Sequence, residues 1–168
     1  MTVGTKSLLF GVHQFIWHPL TVLFAWLYLY RSFPNWRELV CIVIHDWGYW
    51  GSSNMDGPEG ERHPERAASI AMRIFGSYYS DLCLLHSRRY ARSKGLVPSK
   101  LCWADKFSIA CDPCWFYLTR AWLSGELYEY RESTALEGFI PLSDGHRQWF
   151  RWVRARLVSQ GVKNISDI

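Results

Sequence analysis

The chain has 168 residues, of which 49% are hydrophobic and 20% charged, so it is long enough for one folded domain with its own core. This composition excludes a disordered protein. The formal charge of +4 lies in separate clusters, which disfavours stable binding to nucleic acid: Arg88, Arg89, Arg92 and Lys94, and then Arg147, Arg151, Arg154, Arg156 and Lys163. Aromatic residues make up 17%, which fits either a ring-rich core or a pocket for a flat substrate such as a nucleobase.

The cysteine pattern indicates a reducing compartment. Five cysteines, an odd number, occur without the cleavage-site pattern of a secretory signal, so a cytoplasmic location is expected. The segment Cys111–Cys114 has the C-x-x-C spacing of some zinc sites and redox motifs. No second pair completes a zinc site, so this spacing does not predict one.

The first helical region runs from Ser7 to Tyr30 and is almost continuously apolar. This pattern predicts inward-facing helix, with Pro19 as the candidate for a bend. A membrane span needs about 20 predominantly apolar residues, and this stretch is interrupted by Gly11, His13, Gln14, His18 and Pro19. A buried core helix is therefore predicted and no transmembrane segment, while contact of this helix with lipid stays open as an alternative.

A second helix is predicted from Asn35, which has Glu38 three residues later, as in a capping box. Its apolar residues lead directly to His45-Asp46, and Gly48 and Gly51 are predicted to end it. The segment from Ser52 to Glu61 is rich in turn-forming residues and is predicted to be a loop, a candidate lid over a site. His63 then opens a helix that ends at Gly76.

The remaining predicted elements are also helical. Helices are expected from a cap near Ser80 to Gly95 (with His86 inside), from Pro98-Ser99 through Asp105, from an Asp112-Pro113 cap to Gly125, and from Asp144 to about Gly161. The segment 133–140 is predicted to be a short helix or an ordered loop. No alternating strand pattern occurs, so the prediction is one compact all-α domain of six to eight helices over residues 1–168. Its metal-binding core would span about 13–110, and 111–168 would complete the core or pocket.

Six residues in or beside these helices form a candidate metal site: His18, His45, Asp46, His63, His86 and Asp105. Imidazole and carboxylate are ligands for Fe, Mn, Zn, Co and Ni, and six ligands exceed what one tetrahedral ion needs, so two divalent ions fit better. Successive helical residues point about 100° apart, so adjacent ligands require a site at a helix edge or end. Each residue alone has an ordinary alternative, as a cap, a surface group or a satisfied polar group. Among the other histidines, His13 is a rival first ligand, and His146 fits no ligand position.

The ordered set also resembles a known family. Ile44–Gly48 (IHDWG), His63–Glu65 (HPE) and Ala104–Lys106 (ADK) resemble the HD-domain superfamily of metal-dependent phosphohydrolases, in its branch with two additional histidines. The resemblance covers about residues 13–110. It implies that His18, His45, Asp46 and Asp105 bind one ion, and that His63 and His86 bind a second ion bridged by Asp46.

The family also implies an activity. A hydroxide that bridges the two metals would attack phosphorus, with the ions stabilising charge on the phosphoryl oxygens. Asp46 would serve this centre, and the phosphate would be positioned by Arg88, Arg89 and Lys106, with Arg66 as a further candidate. The expected substrate is a small phosphorylated molecule, most plausibly a nucleotide, whose base could stack on rings near the last ligand: Trp103, Trp115, Phe116 and Tyr117.

Two alternative functions stay open at this point. One branch of the same dinuclear group uses a mixed-valent di-iron centre to activate oxygen and cleave C–C or C–P bonds, and its ligand order is identical. The other alternative is a non-catalytic protein that keeps the metal as a structural clamp or ligand sensor. Such a protein would bind ligand without turnover and lose thermal stability when the metal is removed.

Overall fold

The computed structural model describes residues 1–163, which form ten α-helices and three short 3₁₀ helices, with no strand in that range. The α-helices are α1 (Val3–Phe10), α2 (Trp17–Tyr30), α3 (Trp36–Ile44), α4 (His63–Phe75), α5 (Ser77–Leu84), α6 (Arg88–Ser93), α7 (Lys100–Phe107), α8 (Cys114–Ser124), α9 (Glu126–Leu136) and α10 (His146–Lys163). The predicted all-α class is confirmed. The count exceeds the predicted six to eight because turns divide segments that the apolar pattern merges.

The first such division lies before α2. The chain leaves α1 at Gly11 and enters α2 at Trp17, so the helical region is interrupted at 11–16 and not at Pro19. Pro19 lies in the first turn of α2, where the backbone N–H that proline lacks is not needed for the helix. Across residues 1–163, every helix is too short or too polar to cross a bilayer.

Local signals located the middle helices well. Asn35 caps α3 through its side chain, and Glu38 accepts a 2.7 Å bond from the Asn35 backbone N–H, so the predicted capping box is confirmed. Helix α4 begins at His63 as predicted. The predicted cap at Ser80 is wrong, because Gly76 adopts a φ of +91° that turns the chain earlier and starts α5 at Ser77.

The C-terminal helices depart from prediction at two positions, Asp112 and Gly161. Helix α8 begins at Cys114 after Pro113, and Asp112 is not its cap as predicted. Asp112 instead accepts two 2.7 Å hydrogen bonds from Arg120, because both side chains are buried and need a partner. Helix α10 continues past Gly161, the predicted end, and this glycine lets α10 pack closely against Phe107 of α7.

Two large apolar clusters hold the helices together. The first lies among α2, α3, α4, α5 and α7, and the second joins α8, α9 and α10. Helix α10 also packs against α7, so the two clusters meet along that contact. Segment 133–140, predicted as a short helix or an ordered loop, is the end of α9 followed by a turn. The ends of α2–α7 and the side of α10 therefore face a shared space.

Candidate metal centre

All six predicted ligand residues lie together, and each is buried. They come from five places in the fold: the first turn of α2, the end of α3, the start of α4, the turn after α5, and α7. His45 directly follows the last residue of α3, and Asp46 follows it with φ −95° and ψ 0°. Successive residues inside a helix point about 100° apart. Because α3 ends at this adjacent pair, both side chains can still reach one cluster.

Asp46 Oδ2 is the centre of a first group of ligand atoms. It lies 3.1 Å from His18 Nε2 and 3.1 Å from His45 Nε2. Asp105 Oδ1 lies 3.1 Å from His18 Nε2 and 4.0 Å from His45 Nε2. The two Nε2 atoms and Asp46 Oδ2 are fully buried and, within residues 1–163, make no well-oriented hydrogen bond. Buried polar atoms without such a bond are costly, and atoms that converge in this way could hold a metal ion.

The other oxygen of Asp46 belongs to a second group. Asp46 Oδ1 lies 3.4 Å from His86 Nε2 and 3.7 Å from His63 Nε2. The two Nε2 atoms of His63 and His86 lie 2.9 Å apart. The carboxylate of Asp46 thus presents one oxygen to each group of imidazoles.

The outer nitrogens of three imidazoles are fixed by the backbone. Each Nδ1–H donates to a carbonyl oxygen three residues earlier: His45 to Ile42 (2.7 Å), His63 to Gly60 (2.5 Å) and His86 to Cys83. A carbonyl can only accept, so Nδ1 carries the proton and Nε2 of the neutral ring presents a lone pair. Metal-bound histidines are held in this way in proteins.

The imidazoles of His63 and His86 are uncharged. Burial lowers the pKa of both His63 and His86, and Coulombic repulsion from a neighbouring imidazole, His86 and His45 respectively, lowers each further. Both rings are therefore neutral at pH 7, and their two Nε2 lone pairs face each other. Two lone pairs that face each other in this way could both be donated to one metal ion.

His18 differs from the other imidazoles. Burial disfavours its charged form, but Asp105 and Asp46 outweigh that effect and raise the pKa of His18 to about 9. Burial would raise the pKa of each carboxyl group, yet neighbouring imidazoles, His45 first, hold the pKa of Asp46 well below its ordinary value, and Lys106 and His18 do the same for Asp105. The metal-free site therefore holds a proton on His18, and a metal that binds there must displace it.

A small residue, Gly48, follows the His45-Asp46 pair because the chain packs closely there. It lies in the 3₁₀ turn Trp47–Tyr49, which packs against the start of α4. A methyl group on Gly48 would overlap the backbone of His63, including its carbonyl carbon and oxygen. The next ring, Tyr49, then stacks on the His63 imidazole with centroids 4.0 Å apart. Gly48 thus lets the segment carrying Asp46 approach the segment carrying His63.

We expect Gly48→Ala to lower the free energy of unfolding by about 1–3 kcal/mol, because the clash is with backbone that cannot rotate away. Metal affinity should fall as well, since His63 must move. Urea unfolding with and without chelator measures both effects. Gly145→Ala is the matched control, because no atom lies near its added methyl group. Equal unfolding and equal metal content in the two variants would contradict this role.

A pocket of about 310 Å³ is lined by four of the six predicted ligand residues: His18, His63, His86 and Asp105. The predicted cations Arg88, Arg89 and Lys106 line it, whereas Arg66 does not and is exposed. Lys106 Nζ is held 2.6 Å from Asp105 Oδ2, and this carboxylate outweighs burial to raise the pKa of Lys106. Arg156 of α10 also lines the pocket, and the sequence identified it only as part of a basic cluster.

Arg89 is occupied by the loop and by α9. Its guanidinium lies 2.7 Å from Glu61 and 3.7 Å from Glu137, and it also donates to the backbone carbonyl of Asp56 at 2.8 Å. The segment 52–61 contains the predicted loop together with the start of a 3₁₀ helix at Gly60. Met55 is buried and its backbone N–H donates to Glu129 in α9. These contacts place the loop as one wall of the pocket, while its role as a lid stays a prediction.

A buried network that the sequence did not reveal supports the pocket beside the ligands. Glu126 is fully buried, and its Oε1 lies 2.9 Å from His13 Nδ1. The ring of His13 lines the pocket and packs at 5.2 Å from the ring of His18. His13, His18 and Asp46 also form a group whose ligand atoms lie within 4.8 Å of one another. His146 lies far along the chain at the start of α10, where Arg131 contacts it.

The predicted base-stacking rings are mostly elsewhere. Tyr117 lines the pocket, but it packs on Phe150 at 4.9 Å and is itself buried. Trp103, Trp115 and Phe116 are not among the lining residues. Trp103 packs against the first apolar cluster, and Trp115 is 69% exposed. Proximity in sequence to Asp105 was a poor guide, because Trp103 lies on the side of α7 that packs on the apolar cluster, and Trp115 and Phe116 belong to the next helix, α8.

The structure therefore contains buried His/Asp groups that could hold a metal ion, with sets of three ligand atoms within 4.8 Å of one another. A pocket with cationic and aromatic walls lies next to them. All five cysteines are free thiols, and Cys111 is exposed. No family model, curated protein or solved structure matches the chain in comparisons with known proteins.

Proposed function

We propose that this chain is an HD-type metal-dependent phosphohydrolase that acts on a small phosphorylated molecule, a nucleotide being the first class to test. The observation that carries the proposal is the division of Asp46 between two groups of imidazoles. One carboxylate oxygen faces His18 and His45, and the other faces His63 and His86. This arrangement supports two divalent ions bridged by one carboxylate, as the family resemblance implies.

The ligands divide naturally between the two positions. His18, His45, Asp105 and Asp46 Oδ2 would hold one ion, and the remaining ligand atoms would hold the other: His63 Nε2, His86 Nε2 and Asp46 Oδ1. The residues present fit ions of the Fe, Mn, Zn, Co or Ni type, since imidazole nitrogens and carboxylate oxygens are the donors such ions prefer. When bound, the ions would lower the pKa of a coordinated water and stabilise charge on phosphoryl oxygens.

The chain's own residues would prepare the site for the substrate. Backbone carbonyls of residues 42, 60 and 83 hold three imidazoles with Nε2 facing inward, so little reorganisation is needed on metal binding. Burial of the cluster excludes bulk water from all sides except the pocket. In this lower-dielectric surrounding, charges on the protein act more strongly on a bound phosphate.

Arg88 is the predicted cation best suited to positioning that phosphate. It follows His86 by two residues, lines the pocket, and makes its hydrogen bond to the neutral Gln160. Lys106 and Arg89, in contrast, are each paired with carboxylates. A guanidinium whose charge is not neutralised by a carboxylate can bind phosphate oxygens in a two-pronged manner. Lys106 would act mainly by holding Asp105 in place.

The test is a panel of nucleotides and simple phosphate esters, assayed for phosphate release with Mn, Fe, Co, Ni and Mg added separately. The proposal expects metal-dependent release that Asp46→Ala abolishes. Release no higher than in that variant, with every metal and substrate, would reject it. Oxygen consumption dependent on iron and a reductant, without phosphate release, would support the oxygenase with the same ligand order. Stoichiometric ligand binding without turnover would support the non-catalytic alternative.

A further inference from the structure

One wall of the pocket is formed by α10 and carries an unusual cation. The guanidinium carbon of Arg156 lies 3.5 Å from the centroid of the Phe139 ring and 5.2 Å from that of Trp152. The two rings pack at 5.5 Å with an angle of 30° between their planes. A guanidinium held against aromatic faces keeps its N–H groups at its edges, available to an acceptor in the plane of the group.

Arg156 lacks an acceptor among residues 1–163. Within the part of the chain that the structure describes, it makes no ion pair with a carboxylate and no hydrogen bond, although it is half-buried. The carboxylates of Glu61 and Glu137 are used by Arg89, on the side of the pocket formed by the loop and α9. A half-buried guanidinium with five N–H donors and no acceptor is a site prepared for an anion.

A second guanidinium reaches the same side of α10. Arg88 donates to Gln160, which is four residues after Arg156 and therefore lies on the same face, about 6 Å along the helix axis. Arg88 is close in sequence to the ligand His86, whereas Arg156 is packed on Phe139 and Trp152. The cationic side of the pocket therefore extends beyond the metal cluster. A single phosphate bound at the cluster would not need both guanidinium groups, Arg88 and Arg156, to hold it.

We propose that Arg156, with Phe139 and Trp152, forms a second anion-binding subsite, and that the natural substrate carries a second oxyanion group besides the phosphate that reacts. This inference rests on the proposed function for the first phosphate. Arg156 would distinguish substrates with two oxyanion groups from those with one. Its N–H groups, which lie at the edge of the guanidinium plane, would bind the phosphate or carboxylate that does not react. The reacting group lies at the metal cluster, beside Arg88.

The experiment measures binding by isothermal titration calorimetry to the metal-loaded protein. Two pairs of probes differ by one anionic group each: fructose 6-phosphate against fructose 1,6-bisphosphate, and glycerol 3-phosphate against 3-phosphoglycerate. The wild type should bind at least one doubly anionic probe about tenfold or more tightly than its partner. Arg156→Met should remove that preference, and Arg156→Lys should keep part of it. A preference within the fructose pair would identify the second group as a phosphate, and a preference within the glycerol pair would identify it as a carboxylate.

The control is Arg151→Met, which removes an exposed arginine from the same helix and should bind as the wild type does. Thermal unfolding of each variant confirms that the fold is intact. Hydrolysis of p-nitrophenyl phosphate, which has a single phosphate, should keep its kcat and KM in Arg151→Met. A wild type without preference in either pair, or a Met variant that retains it, overturns the subsite even where phosphate is released. An Arg156-dependent preference without hydrolysis by the wild type upholds the subsite and rejects the proposed function.

Discussion

Replacing Asp46 by alanine should reduce metal-dependent phosphate release by about 10³-fold or more, equivalent to about 4 kcal/mol in the activation free energy. The reason is its shared position: one carboxylate oxygen faces His18 and His45, and the other faces His86 and His63. Its removal takes one negatively charged ligand from both groups at once. The measurement is kcat/KM with the most active metal and substrate found in the panel.

Two further variants separate chemistry from folding. Asp46→Asn keeps the side-chain volume but removes its charge, so it should fold normally and be nearly as inactive as Asp46→Ala. Asp81→Ala removes an exposed aspartate from α5 and should retain the activity of the wild type. Circular dichroism establishes that each protein is folded. Substantial activity in a folded Asp46→Asn protein would contradict a bridging role for this carboxylate.

Replacing Glu126 by alanine should lower the free energy of unfolding by about 3–5 kcal/mol. Its carboxylate accepts five hydrogen bonds in a fully buried position: from Ser7 Oγ (2.7 Å), His13 Nδ1 (2.9 Å), Val12 N (2.9 Å), Tyr130 Oη (3.0 Å) and Ser124 Oγ. Burial would raise the pKa of this carboxyl group, but the partners, led by His13, outweigh that effect and lower it. Truncation would leave these donors buried without a partner.

The matched control for this prediction is Glu132→Ala, an exposed glutamate on the same helix, which should change stability by no more than about 0.5 kcal/mol. Urea unfolding of both variants and the wild type measures the difference. Activity should fall in Glu126→Ala as well, because His13 at the pocket wall loses the group that holds it. If the two glutamate variants were equally stable, the network around Glu126 would not be structurally important.

The parts of the fold that sequence predicted well depend on neighbouring residues. The capping box at Asn35 and Glu38 involves positions three apart, and the start of α4 at His63 is marked by Pro64 at the next position. The glycine-ended helix α8 is a similar case, since Gly125 has a φ of +94°. Such signals act within one turn of chain, so a sequence pattern can detect them.

The site was predictable only in part, because its remaining contacts join distant segments. The six candidate ligand residues were predicted from their order and their likeness to a known motif, and the structure brings them together. In contrast, Glu126 reaches Val12 across 114 positions, and no local pattern marks such a pair. Arg156 was only one member of a basic cluster until its packing on Phe139 set it apart. Asp112 fitted a helix cap by its neighbours but is paired with Arg120, because burial made an ion pair necessary.

The central claim is that the buried His/Asp cluster holds two ions, and metal content tests it most directly. Elemental analysis of protein purified without added metal should find about two ions per chain, falling to about one in His63→Ala/His86→Ala. The remaining ion would be held by His18, His45, Asp46 and Asp105. Iron as the dominant metal would favour the oxygenase over the hydrolase. One ion per chain that persists unchanged in the variant, or no metal in the wild type, would contradict the account.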